Sequence, residues 1–190
     1  RLLAGVPASE DEAALEEQIG QLIAAADEAT AAGAHDDAIA MLGAVANEIP
    51  ARHDLAARLA LAMLAAGRRE EAAAVLAQLP ADSKDELVIR ARAALALAAE
   101  APADHELADL IAQVNKAPDD HAARFELAGA LAGRGDRDAA AEHLLAIIKA
   151  DRTWNESAAR EKLLTMFEAA GLADPWSIKT RAALRAVWFA

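Results

Sequence analysis

The chain has 190 residues, 55% of them apolar but only 3% aromatic, with no Cys, no Tyr and a formal net charge of −12. The apolar share supports a buried core, and an Ala- and Leu-rich composition poor in β-branched residues favours helix over sheet. The acidic balance excludes a phosphate-tracking surface, the absence of Cys excludes disulfides, thiolate metal sites and a Cys nucleophile, and no apolar run reaches the roughly 18–20 residues of a membrane span. A Cys-free chain of this kind fits the cytoplasm better than a secreted setting.

In chain order, residues 1–8 read as a linker remnant: Arg1-Leu2-Leu3-Ala4-Gly5-Val6-Pro7 is too short and too weakly charged for a signal peptide. The missing initiator Met is what a fragment or a trimmed product would show. Ser9 and Glu12 have the spacing of a helix capping box. Beyond them Gly33, Gly67 and Gly135 recur at separations of 34 and 68. Each closes an apolar-periodic run and precedes a short polar turn, as in Gly67-Arg68-Arg69-Glu70-Glu71-Ala72. Gly suits the left-handed position after a first helix, and the acidic residues suit the first turn of the second.

That register sets repeats at 19–52, 53–86, 87–120 and 121–154, and two positions not used to find it test it. The eighth residue is Ala26, Ala60, Ala94 and Ala128, and the twenty-fourth is Leu42, Leu76, Leu110 and Leu144. A small residue facing a Leu knob is what close antiparallel helix pairs need. The twentieth position holds Ala38, Ala72 and Ala140 but Glu106 in the third repeat, which also has Ala101 in place of the turn glycine. Pro102 and Pro118 still punctuate it, so 87–120 reads as a degenerate helix pair.

Past 154 the register fades into a final helical hairpin, about 156–170 and about 176–189, joined by a turn at 171–175. All six aromatics (Phe125, Trp154, Phe167, Trp176, Trp188, Phe189) lie from residue 125 onward, which predicts bulkier packing in the C-terminal part. The fold class is therefore all-α: a tetratricopeptide-like helical-hairpin solenoid over 9–154, with a C-terminal helical hairpin at 155–190 packing on the last repeat.

Enzymatic chemistry finds no purchase. The run His105-Glu106-Leu107-Ala108-Asp109 is one His short of a zinc-protease helix and reads as a solvated first turn. His35, His53, His121 and His143 have no partner three or four residues away. Gly129 and Gly133 follow no strand and precede no Lys-Ser or Lys-Thr, so they form no phosphate loop; four apart in one helix, they mark a close approach by another segment. No nucleophile–base pair emerges, and no cofactor or metal site is expected.

Binding is the more informative reading. First helices of such repeats usually line a concave groove, and in this register that face carries Ile23, Leu61, Leu64, Val88, Leu95 and Phe125, an apolar surface suited to a client segment. Arg58 and Arg92 recur there without companion Lys or Asn, which disfavours a clamp for a peptide carboxylate.

From about 104 to 189 the order of features resembles a known family. A degenerate pair between Pro102 and Pro118 leads into Asp119-Asp120-His121-Ala122-Ala123-Arg124-Phe125-Glu126-Leu127-Ala128 and the Gly135-Asp136 turn. Then come Ala141-Glu142-His143-Leu144-Leu145, Asp151-Arg152-Thr153-Trp154, Ala158-Ala159-Arg160-Glu161-Lys162-Leu163-Leu164 and Phe167. The chain closes on Arg181, Leu184, Arg185, Trp188 and Phe189. This is similar to the tetratricopeptide part of thioredoxin-like co-chaperones of the YbbN or CnoX type, the chaperedoxins, without their thioredoxin domain. Thr180-Arg181-Ala182 departs from the aromatic followed by two basic residues that the family commonly carries in the final helix.

The resemblance implies a cytoplasmic module that holds unfolded clients and links them to the Hsp60 (GroEL) and Hsp70 (DnaK) machines. Its partner-docking element would be the terminal helix with Arg181, Arg185, Trp188 and Phe189. The competing expectation is an adaptor that docks one folded partner, such as an envelope or secretion component. Neither involves nucleic acid or a membrane.

Overall fold

The structure is a computed structural model that describes residues 10–189; the linker remnant and the Ser9 cap lie outside the described residues. Among those residues there are ten α-helices and no strand. Contacts divide the chain into two compact units, the first ending at Leu79 and the second beginning at Pro80.

The first unit holds α1 (Glu10–Ala31), α2 (His35–Glu48), α3 (His53–Ala65) and α4 (Arg69–Ala77), and each packs on the next in sequence. The turn between paired helices is the one the glycine period implies. In α1–α2 the Gly33 N–H bonds to the Thr30 carbonyl at 3.1 Å and the Ala34 N–H to the Ala29 carbonyl at 2.8 Å; Gly67 and Arg68 repeat the pattern at 3.0 and 2.8 Å. This crossed pair of bonds satisfies the last carbonyls of a helix, and it requires a left-handed residue: Gly33 and Gly67 sit at φ 80° and 75°. Ala26, Ala38, Ala60 and Ala72 are fully buried, and Leu42 and Leu76 nearly so. The small-residue and Leu positions thus form the contact seam between the helices.

Arginines brace this unit from outside. Arg52 bonds to Glu16 at 2.8 Å and to Asp54 at 2.9 Å, and Arg58 reaches Asp27 at 3.0 Å. The Arg52 guanidinium holds the Asp54 carboxyl below the usual carboxylate range.

The second unit holds α5 (Glu86–Ala98), α6 (Asp104–Lys116), α7 (His121–Gly133), α8 (Arg137–Ala150), α9 (Trp154–Ala170) and α10 (Pro175–Trp188). Helices α7 and α8 form a regular pair through the Gly135 turn, with Ala128, Ala140 and Leu144 fully buried. The third repeat does not fold as the degenerate pair the register suggests. Helix α6 packs on α7, while α5 lies along α9 and touches α7. Accordingly Ala94 and Leu110, which match the repeat pattern in sequence, are only half-buried. The Glu106 that breaks the pattern has its own use: its carboxylate accepts the Ala103 N–H at 3.0 Å and caps the start of α6.

The glycines of α7 explain how α5 reaches across. A Cβ on Gly133 would stand 2.8 Å from the Leu97 carbonyl oxygen in the last turn of α5 and 2.5 Å from the Ala101 nitrogen just past it, both backbone atoms. A Cβ on Gly129 would collide with the Glu100 carboxylate. The two glycines therefore mark a crossing, as their spacing suggests. Beside them Glu100 pairs with Lys162 of α9, whose side chain is only 13% exposed and whose ammonium lies 4.9 Å from the Phe125 ring centre. At the other end of α5 the Arg90 side chain donates to the Ala169 carbonyl at 3.2 Å. The two pairings, 90 with 169 and 100 with 162, make α5 and α9 antiparallel.

Helix α9 begins irregularly. Asn155, Glu156 and Ser157 have φ of 46°, 56° and 68°, three consecutive non-glycine residues in the left-handed region at a cost of about 1–2 kcal/mol each. The Ser157 hydroxyl donates to the Arg152 carbonyl at 3.0 Å and Asp151 accepts the Thr153 N–H and hydroxyl at 2.8 Å, which anchors the turn on both sides. The core follows the aromatic bias of the sequence: Leu144, Ile147, Ile148, Leu163, Met166 and Phe167 are buried, and Phe167 meets Trp176 at 5.7 Å between ring centres.

Candidate functional site

The apolar residues expected to line one groove fall in both units, Ile23, Leu61 and Leu64 in the first and Val88, Leu95 and Phe125 in the second. Val88 cannot line a groove, because it is completely buried in the seat of α5. Phe125 is half-buried and already engaged, 5.5 Å from the Trp154 ring and beneath Lys162. Ile23, Leu61, Leu64 and Leu95 are half-buried. Arg58 and Arg92 are turned to their own chain, Arg58 to Asp27 and Arg92 to the Pro80 and Ala81 carbonyls at 3.0 and 3.1 Å.

The His105–Asp109 run has no common focus. Asp104 pairs with Arg134 at 2.5 Å, Glu106 caps α6 and His105 is exposed. Among the described residues no group of three His, Asp or Glu side chains is placed to hold a metal ion, and no helix is long and apolar enough to cross a membrane.

The structure does bring the four terminal-helix residues together, in a cleft of about 820 Å³ between α9 and α10. Its shape follows from how α10 is seated. The helix starts at Pro175, whose fixed φ suits a first turn, and Asp174 accepts the Trp176 N–H at 2.8 Å. Trp176, Ser177 and Thr180 are buried, and α10 packs mainly on α8 while it only grazes α9. Arg137 of α8 stacks 5.3 Å over Trp176 and lies 3.7 Å from Asp174, which locks this first turn. With one face committed to α8, the face toward α9 stands open.

One wall of the cleft is Arg160, Leu164, Phe167 and Glu168 of α9, which follow one another at helical spacing; Leu172 closes the turn end. The other wall is Ile178, Arg181, Ala182, Leu184, Arg185, Trp188 and Phe189. Leu172, Ile178 and Phe189 are 54%, 59% and 81% exposed, which makes this the most open group of large apolar side chains in the unit. Leu172, Ile178 and the α9 wall escape a reading based on the period, because they lie beyond its last repeat. The available signal is a stripe at 178, 181/182, 184/185 and 188/189, which is amphipathic in its own right.

The cleft is also locally basic. Arg160 pairs with Glu161 at 2.9 Å and stacks 5.5 Å over Trp188. Arg181 and Arg185, one helical turn apart and exposed, have no ion-pair partner among the described residues. Glu168 is the sole carboxylate among the lining residues, in a chain whose 31 acidic residues outnumber 19 basic ones.

Comparison with known proteins agrees with the repeat geometry. Two family models, each described as tetratricopeptide repeat, match residues 29–98 and 100–189. A solved structure, a domain of a Vibrio parahaemolyticus protein of unknown function, is 24% identical, with a TM-score of 0.41 over 88% of this chain and 98% of that one. No curated protein matches the chain. With the left-handed Gly turns, the buried Ala and Leu seams and two repeat matches that together span most of its length, the chain is built of tetratricopeptide repeats.

Proposed function

We propose that this chain is a protein–protein interaction module whose working surface is the α9–α10 cleft. The observation that supports it is the exposure of Leu172, Ile178 and Phe189 around one concavity, where apolar area would otherwise stay in water at about 25 cal/mol per Å². Phe189→Asp and Ile178→Asp place charge on exposed positions, so the fold should persist. Loss of partner capture by these variants, with an unchanged circular dichroism spectrum, is the expected outcome. Undiminished capture would move the working surface elsewhere.

The finer reading is a cytoplasmic co-chaperone module of the chaperedoxin kind, which holds unfolded clients and passes them to Hsp60 and Hsp70 partners. The order of features from 104 to 189 supports it, as does the pairing of an open apolar cleft with a net charge of −12 that limits self-association. Suppression of aggregation for several unrelated unfolded clients, together with loss of purified chaperonin binding on truncation before Asp174, is the expected result. A single stoichiometric folded partner and no effect on aggregation would establish the adaptor reading instead. A thioredoxin domain encoded immediately upstream would tie the chain to the family.

A further inference from the structure

The cleft specifies the chemistry of its occupant, on the assumption that it is the working surface proposed above. Both walls are helices whose backbone groups are bonded internally, so the cleft presents no strand edge and an extended peptide would leave its own N–H and C=O groups unpaired. A helix brings those groups already satisfied. The open stretch runs from Ile178 to Phe189, the rise of about three helical turns. Its lining is an apolar floor of Leu164, Phe167 and Leu184 with Arg181 and Arg185 on one margin, and among the described residues those two guanidiniums have no carboxylate partner.

Exposed basic side chains beside apolar ones, on a strongly acidic protein, select a partner by charge. A polyanion such as nucleic acid or an anionic bilayer would meet the repulsion of the whole chain, and a bilayer is too flat to enter a concavity between two helices. A short amphipathic segment meets only the local field. We propose that the α9–α10 cleft takes one acidic amphipathic helix of a protein partner, with its apolar stripe on the floor and its carboxylates on Arg181 and Arg185. Glu168 on the opposite wall repels carboxylates at its end of α9, and Arg160 on that wall is already paired with Glu161, so the carboxylates of the helix are oriented toward Arg181 and Arg185.

The test uses the full chain and dye-labelled peptides of about four turns: one with a Leu stripe and Glu elsewhere, one with Lys for every Glu, and one with Ser for every Leu. Fluorescence anisotropy should show the acidic Leu peptide binding about tenfold or more tightly than the Lys version, with the Ser version not binding. The preference should shrink in high salt and reverse in the Arg181→Glu/Arg185→Glu chain. Equal binding of acidic and basic peptides, each lost on Phe189→Asp, would overturn the charge assignment and leave the interaction surface standing. No peptide binding, with partner capture indifferent to Phe189→Asp, would remove both. Binding to anionic vesicles that depends on the same arginines, or self-association through them in sedimentation, would replace the helix with a lipid surface or a second copy.

Discussion

In the unit that ends at Leu79 every helix packs on its sequence neighbours, sealed by alanines and leucines and braced outside by arginine–carboxylate pairs. In the unit that begins at Pro80 a helix from one end of the sequence, α5, lies against α9 near the other, and the seal is made of glycine, aromatic rings and a half-sheltered ion pair. The difference shows that one repeat register accommodates both neighbour-only stacking and a long-range crossing, and that the crossing needs the space left by Gly129 and Gly133 of α7.

Matched glycine substitutions probe this contrast most sharply. Gly133→Ala forces a methyl into the α5 backbone and should destabilise the second unit by about 1–3 kcal/mol, although Ala is the better helix former. Gly43→Ala in α2 meets only the Leu59 side chain at 4.0 Å and should stabilise the first unit by about 0.5–1 kcal/mol. Urea midpoints that move in opposite directions would sustain the comparison; a stabilising Gly133→Ala would break it.

Lys162→Met should come next, at about 1–2 kcal/mol, because it strands the Glu100 carboxylate beside Gly129 and removes the cation over Phe125. The paired Glu100→Gln/Lys162→Met chain should recover part of that loss in a double-mutant cycle. Its counterpart in the first unit, Arg58→Ala, leaves Asp27 in the water that already surrounds it and should cost no more than about 1 kcal/mol, less in high salt.

The smallest effects separate the units by pH. Burial and the neighbouring Arg124, 3.3 Å away, push the His143 pKa below its ordinary value. The neutral ring favours the folded state, so the second unit should lose this contribution as pH falls below about 6.5. Asp54 is also depressed, and its contribution should be full above about 4 and fade below it. Thermal melts should show His143→Gln flattening the response near pH 6 and Asp54→Asn flattening it only in more acid solution.

Much of this architecture can be read from local pattern. The Gly33, Gly67 and Gly135 turns, the Ala26, Ala60 and Ala128 seams and the significance of Gly129 and Gly133 all follow from residue type and spacing. What spacing lacks is the partner. Ala94 and Leu110 carry the right letters at the right interval, yet α5 and α6 do not seal through them, because α9 offers α5 an antiparallel face with Lys162 and the Ala169 carbonyl in place. The same blindness put Val88 on a groove when it belongs to the core. The candidate cleft is half-legible: Arg181, Arg185, Trp188 and Phe189 stand out as a basic and aromatic end, whereas Leu172, Ile178 and the α9 wall join them only once α10 is seated on α8.

The clasp of α5 on α9 also bears on how such a protein can change length. Arrays in which each repeat touches only its neighbours grow or shrink by whole units, since a duplicated repeat finds the same surface on either side. Here an extra repeat between α7 and α9 would carry Lys162 and Ala169 away from Glu100 and Arg90 and leave α5 without a seat. The clasp therefore fixes the copy number of the second unit, and a whole repeat gained or lost without breaking it must fall outside the span from α5 to α9.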